Sequence, residues 1–189
     1  MREIETHTSR RIGRPTRATS GRITLPVVRF MAAADVAVTA RLFQEMQAHY
    51  RVDCPSLSEI TARLTGLPNG VSILVAANPD VVGFAALSAI FPGPGLNPGF
   101  FLKELFVSAH ARRCGVGTAL IRYAAQLAVQ RGFTRLDWTA DRTDDKLLRF
   151  YMALGAVEQP EKVFLRLSGP ALNAAASHES GEGEGMAQM

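Results

Sequence analysis

The residues of this chain with types and spacing suited to chemistry lie mostly in its second half. The first group is the run Arg112-Arg113-Cys114-Gly115-Val116-Gly117-Thr118. It falls where an apolar, strand-like segment gives way to a helix-like one. The first four amides of a helix have no intrahelical partner, and the helix dipole places roughly half a positive charge at that end. Gly115 and Gly117 remove side chains where a pyrophosphate would sit against the amides of Cys114 to Thr118, and Arg112 and Arg113 add charge around it. A turn followed by a tight helix contact would use the same glycines. Two better-known phosphate loops do not match. A P-loop ends in Gly-Lys-[Ser/Thr], and no lysine follows Gly117. The dinucleotide fingerprint needs a third glycine or alanine where Leu120 stands, and its strand opens the fold.

Other candidates surround this run. In a strand over 100–107, side-chain alternation places Glu104 on one face with Leu102 and Phe106. A carboxylate in such an apolar row is costly without a role or a partner. It fits a general base acting through water, an anchor for a cationic amine, or a salt bridge with an arginine such as Arg149. Asp144 suits a helix N-cap, with Asp145 in the first turn. Tyr151 lies seven residues further on, in the same helix. His110 reads as a solvated loop histidine beside the glycine run. Cys54 and Cys114 form no CxxC or Cys/His metal spacing, so both read as free thiols and no metal is expected. No ordered Cys/His/Asn set makes Cys114 a nucleophile.

The elements that must position these residues follow from periodicity. Ile23 to Phe30 reads as a strand. Asp35 precedes an amphipathic helix with Val36, Leu42, Phe43 and Met46 on its apolar side, reaching Tyr50. Ser56 and Ser58 can cap a short helix through Ile60 and Leu64, ended by Gly66 and Pro68. Two strands, 71–77 and 81–91, flank the turn residues Asn78, Pro79 and Asp80 and predict a hairpin. The irregular loop 92–99 leads to the strand 100–107. A helix over 115–130 feeds a strand over 133–140, which makes a right-handed crossover joining two parallel strands. A helix over 144–154 and a strand over 162–167 complete the series. This order predicts an α/β or α+β fold, a mixed sheet with helices on its faces.

The chain has 189 residues and a net charge of +4. Residues 1–22 carry six arginines against Glu3 and Glu5 and form a basic segment; residues 169–189 carry Glu179, Glu182 and Glu184 with no Lys or Arg. Neither end has apolar periodicity enough to offset the entropy of ordering it, so both are expected to be disordered around a domain over 23–168. The apolar run 71–91 is interrupted at Asn78-Pro79-Asp80, leaving pieces too short to span a bilayer. A cytoplasmic protein without a membrane partner is expected, and the arginine-rich start reads as a plain tail, not a nucleic-acid arm.

The pattern Arg112-x-x-Gly115-x-Gly117 resembles the acetyl-CoA pyrophosphate loop of the GNAT N-acetyltransferase family. Leu102-Lys103-Glu104-Leu105-Phe106-Val107 resembles that family's central strand, and Arg149-Phe150-Tyr151-Met152-Ala153-Leu154-Gly155-Ala156 its Phe-Tyr-x-x-x-Gly helix end. The likeness covers residues 23–167, and the half from Leu102 to Gly155 is most similar to the diamine and polyamine acetyltransferase branch. Lys103 and Glu104 stand where that branch often has two acidic residues. The resemblance implies a mostly antiparallel sheet whose one parallel pair splays apart to admit the pantetheine arm. Leu105, Phe106 and Val107 would bind that arm, and Arg112, Arg113, Cys114, Gly115, Val116, Gly117 and Thr118 the pyrophosphate. Asp144 stands where relatives carry an asparagine that bonds the pantetheine. Tyr151 would protonate the CoA sulfur, and Glu104 would assist deprotonation of the amine. The implied function is direct acetyl transfer from acetyl-CoA to a primary amine of a small molecule in a ternary complex, in a homodimer. A protein or peptide acceptor and a non-catalytic acetyl-CoA-binding module are the alternatives. The acceptor side would draw on the first helices and the 92–99 loop, including His49, Tyr50, Asp53 and Phe91.

Overall fold

The computed structural model describes residues 25–177. The expected segment 1–22 and the end of the chain beyond residue 177 lie outside the described residues. Five strands form one sheet in the order of the chain: β1 (Val27–Phe30), β2 (Val71–Ala77), β3 (Val81–Ile90), β4 (Gly99–Val107) and β5 (Leu136–Trp138). All neighbours are antiparallel except β4 and β5, which run parallel. Helices α1 (Val36–Tyr50) and α2 (Leu57–Thr65) cover one face, and α3 (Val116–Gln130) and α4 (Asp145–Met152) the other.

Alternation along the strands builds two cores, one per face. Leu74, Ala85, Leu87, Phe100 and Leu102 pack against Leu120, Ile121 and Ala124 of α3. Ile73, Val75, Phe84 and Phe106 pack against Leu42 and Met46 of α1 and Ile60 and Leu64 of α2. Phe84 stacks on Phe43 with ring centroids 4.1 Å apart.

Local chemistry sets the element ends. Asp35 accepts from Arg29 through both carboxylate oxygens and from the amide of Ala32 at 2.8 Å, which fixes the corner between β1 and α1. The same guanidinium holds the Asp35 carboxyl below the usual carboxylate range. Ser56 and Glu59 cap α2 reciprocally: Ser56 Oγ accepts from the Glu59 amide at 3.3 Å, and Glu59 Oε2 accepts from the Ser56 amide at 2.9 Å.

Three expectations change. The strand expected over 133–140 is short: only Leu136–Trp138 pairs, opposite Phe100, Phe101 and Leu102, and β5 ends there while β4 stays paired to β3 as far as Val107. Residues 162–167 form no strand. Val163, Phe164, Leu165 and Leu167 are all exposed, because no neighbouring strand lies beside them to accept their backbone bonds. The segment expected to be disordered from residue 169 begins with a helix, α5 (Gly169–Ser177), none of whose residues is buried.

The β3–β4 register changes between Ala86 and Leu87. Ala86 pairs with Glu104 and Leu87 with Leu102, so Lys103 is an extra residue, a β-bulge. The bulge reverses the alternation. Phe100 and Leu102 face α3, whereas Phe106 faces α1, and Leu105 and Val107 take over the α3 side. Glu104 therefore shares a face with Phe106 but not with Leu102, which corrects the expected row.

Candidate active site

Beyond Leu102, β4 continues for five residues to Val107 while β5 stops at Trp138, so the two parallel strands part. Each of Lys103 to Val107 carries backbone polar groups, and those on the β5 side have no strand to pair with there. Phe106 is buried and Leu105 and Val107 half-buried at this split.

The chain then turns through Ala109–Ala111 into α3. Arg113 and Gly115 hold left-handed conformations, φ 64 and φ 80. At Gly115, the N-cap of α3, glycine avoids the cost of a Cβ in this region. Among the described residues, the amides of Arg113 through Thr118 donate to no acceptor; the first bond into this turn is Ala119 to the Gly115 carbonyl at 2.9 Å. Six successive donors at a helix N-terminus make an anion-binding concavity. Arg112, at the start of this turn, folds back onto the end of β4: its Nε donates to the Val107 carbonyl at 3.0 Å, and its guanidinium carbon lies 5.6 Å from the centroid of Phe106. Gly117 also faces α4. A Cβ there would make ordinary van der Waals contact with Phe150 Cζ at 3.4 Å, so α4 packs against the first turn of α3 at this residue without requiring glycine.

Phe150 leads to Tyr151. The Tyr151 ring lies 5.1 Å from those of Trp138 and Phe150, and the residue is only 9% exposed. Burial, with Tyr50 and the Glu104 carboxylate, pushes its phenol up to about 12. The Tyr50 phenol is likewise raised, chiefly by burial and then by Glu104, with Arg112 opposing. Glu104, Tyr50, Tyr151 and Arg112 are thus electrostatic neighbours. The ion pair of Glu104 is with Lys103, 3.1 Å away, not with Arg149.

Asp144 caps α4. Its Oδ1 accepts from the amides of Lys146 and Leu147, both at 3.0 Å, so that oxygen serves the helix. His110 Nδ1 donates to Ser108 Oγ at 2.8 Å, since the hydroxyl's own proton goes to Glu45. Cys114 is exposed. Of the acceptor-side candidates, Tyr50 joins this cluster with His49 beside it, ring centroids 5.4 Å apart. Asp53 and Phe91 are exposed and, among the described residues, are joined to the cluster by no hydrogen bond, ion pair or ring contact.

Two contributors were missed in the sequence, and one of them, Glu45, had no local signal. Glu45 of α1 accepts from Ser108 Oγ and from the Ala109 amide, each at 3.0 Å, and so ties α1 to the start of the loop. Gly83 of β3 leaves room for β4, since a Cβ there would lie 2.8 Å from the Phe106 carbonyl oxygen. A glycine inside an apolar strand marks close backbone approach, which is the sequence signal for Gly83.

A split parallel pair, a row of free helix-terminal amides and a buried tyrosine are thus brought to one place. Residues 39–156 match the Acetyltransferase (GNAT) family. The chain belongs to this family. This GNAT protein is 30% identical over 125 residues to L-ornithine N5-acetyltransferase NATA1 of Arabidopsis thaliana, covering 66% of this chain and 52% of that protein. The chain thus spans about half the length of that plant relative. It is 29% identical over 147 residues to the uncharacterized N-acetyltransferase YhfO of Bacillus subtilis, covering 76% of this chain and 98% of the relative. Among solved structures it is similar to an integron cassette protein from the mobile metagenome of V. cholerae, with TM-score 0.72, 27% identity and coverage of 82% and 99%. It also shares the fold of an aminoglycoside acetyltransferase from an uncultured soil metagenomic sample, with TM-score 0.62, 22% identity and coverage of 76% and 97%. The members of this family are acetyltransferases, and their cosubstrate is acetyl-CoA. The six free amides of Arg113–Thr118 with Arg112 fit a pyrophosphate, and the unpaired edge of β4 fits an extended amide-bearing arm. Among the described residues no group of three or more His, Cys, Asp or Glu is placed to hold a metal ion, and no helix is long and apolar enough to cross a membrane.

Proposed function

We propose that this GNAT protein transfers the acetyl group of acetyl-CoA to a primary amine of a small molecule, directly and in a ternary complex. The observation that carries the reading is the convergence of Glu104 and Tyr151 on the split between β4 and β5, beside the free amides of the glycine loop. Acetyl-CoA supplies an activated thioester. Leu105, Phe106 and Val107 hold the pantetheine arm through their backbone, and Arg112, Arg113, Cys114, Gly115, Val116, Gly117 and Thr118 hold the pyrophosphate. Fixing both reactants supplies the proximity that the transfer requires.

The amine nitrogen bonds to the thioester carbonyl carbon as the carbon–sulfur bond breaks. Glu104 takes the proton lost by the amine, through water, and the Tyr151 hydroxyl donates toward the departing sulfur. With its phenol near 12, Tyr151 keeps its proton throughout the working pH range. Its contribution is then a strong hydrogen bond to a developing thiolate more than complete proton transfer, since a thiol of ordinary acidity titrates near 8.5. The likeness of 102–155 to the diamine branch and the ornithine specificity in the name of the plant relative support a small aliphatic amine as acceptor. A cytoplasmic homodimer is part of the same reading. Incubating the protein with acetyl-CoA and a panel of amines while following free thiol tests it. Amine-dependent thiol release is expected; its absence with every diamine, basic amino acid, aminoglycoside and peptide would overturn it.

A further inference from the structure

The stretch 10–22 carries Arg10, Arg11, Arg14, Arg17 and Arg22 and no Asp, Glu or Lys. It lies outside the described residues, but the point where it joins the fold is within them, and the sheet register fixes that point. Val27 pairs with Ala77, Ala77 with Val81, and Gly83 with Val107, so the start of β1 lies at the same end of the sheet as the end of β4. The first residues of α3 lie at that end too, and the helix packs across the sheet as far as Val28 of β1. Leu25, two residues before β1, reaches the glycine run: a Cβ on Gly115 would lie 3.8 Å from Leu25 Cδ2. Gly115 is the N-cap of α3 and sits within the row of free amides from Arg113 to Thr118. Leu25 is 75% exposed, so it rests on the rim of this cradle and not in a core. The chain thus enters the fold at the edge of the anion site.

Reach and charge follow from that entry point. The Cα of Arg22, three residues before Leu25, lies within about 11 Å of it, and that of Arg17, eight residues before, within about 29 Å. Besides its pyrophosphate, acetyl-CoA bears a phosphate monoester on the ribose 3′ position, a group with a charge of about −1.5 to −2 at pH 7. Arg112 and Arg113 of the cradle serve the pyrophosphate, and Arg29 of β1 is held by Asp35. We propose that the arginines of 10–22 form a phosphate clamp that closes over bound acetyl-CoA and takes its 3′-phosphate. Arginine suits this task, because its planar fork binds phosphate oxygens in pairs and stays charged throughout the working pH range. A nucleic-acid backbone would engage the same side chains; the entry of the chain at the rim of the cradle favours the cofactor. The inference rests on the acetyl-CoA reading above and adds a site for the part of the cofactor that the cradle does not hold.

Titration calorimetry of CoA and of 3′-dephospho-CoA, which lacks only that phosphate, tests the clamp in the full chain. The same titrations are made on a full-length variant combining Arg10→Gln, Arg11→Gln, Arg14→Gln, Arg17→Gln and Arg22→Gln, on the double variant Arg17→Gln with Arg22→Gln, and on Arg112→Gln, each checked by a thermal melt. The wild type is expected to bind CoA about tenfold more tightly than the dephospho form at low salt, the scale of a few exposed ion pairs, and the gap should narrow as salt rises. The fivefold variant should bind both forms with the wild-type affinity for dephospho-CoA, and the double variant should lose part of the preference. Arg112→Gln should weaken both forms alike. Equal affinity of the wild type for the two forms, or a preference that survives in the fivefold variant, would overturn the inference while leaving the proposed function standing. Arginine-dependent binding of duplex DNA with no effect on CoA affinity would do the same. Failure of the wild type to bind either form would instead remove the acetyl-CoA reading, and the inference with it.

Discussion

Replacing Tyr151 by Phe deletes one oxygen and leaves the ring contacts to Trp138 and Phe150 in place. The hydroxyl has no hydrogen-bond partner among the described residues, so the folded state loses little, within about 0.5–1 kcal/mol. The transition state loses more. A hydrogen bond to a charged acceptor contributes about 1.5–3 kcal/mol, and each 1.36 kcal/mol is tenfold in rate, so thiol release should fall by about 10- to 150-fold. A larger loss would require full proton transfer, which a phenol raised to about 12 disfavours. The assay is the rate of free thiol from acetyl-CoA at saturating amine, with Tm measured alongside. An unchanged kcat would refute the role of Tyr151, and a loss accompanied by a Tm drop of many degrees would show that the ring, not the hydroxyl, had been disturbed.

Gly83→Ala should lower stability by about 1–3 kcal/mol, because the new Cβ would meet the Phe106 carbonyl at 2.8 Å and Val116 Cγ1 at 3.2 Å. It should also raise the KM for acetyl-CoA by displacing β4 at the split; thermal melts and steady-state kinetics check both. Glu45→Ala removes two charge-assisted hydrogen bonds, from Ser108 Oγ, which keeps His110, and from the Ala109 amide, at a cost of about 1–3 kcal/mol, and should weaken acetyl-CoA binding in titration calorimetry, with Glu45→Gln intermediate. The raised Tyr151 phenol binds its proton more tightly in the folded than in the unfolded chain. Its contribution to stability is therefore complete below about pH 10 and is lost as pH rises through about 12, a change of about 2–3 kcal/mol. Urea melts at pH 9 and above should show this decline, and Tyr151→Phe should lessen it.

Much of the fold was legible because its signals are local. Ser56 and Glu59 announce the start of α2, Asn78-Pro79-Asp80 the hairpin turn, and Gly115 and Gly132 the two ends of α3. What stayed hidden depends on pairing. The bulge at Lys103 is a difference in residue count between β3 and β4, so alternation read along β4 alone placed Glu104 with Leu102. The run 162–167 has strand composition, but a strand exists only beside another, and none lies there. Glu45 stands 63 residues from Ser108, and nothing near either residue links them. At the candidate site the glycine run was visible as an anion cradle, whereas the approach of Phe150 to Gly117 needed the tertiary structure.

Direct transfer in a ternary complex makes a definite kinetic prediction. With initial velocities measured over a grid of acetyl-CoA and amine concentrations, the double-reciprocal lines should intersect, and mass spectrometry of the protein with acetyl-CoA alone should show no acetyl-enzyme. Parallel lines together with an acetylated Cys114, the exposed thiol within the glycine run, would contradict the account.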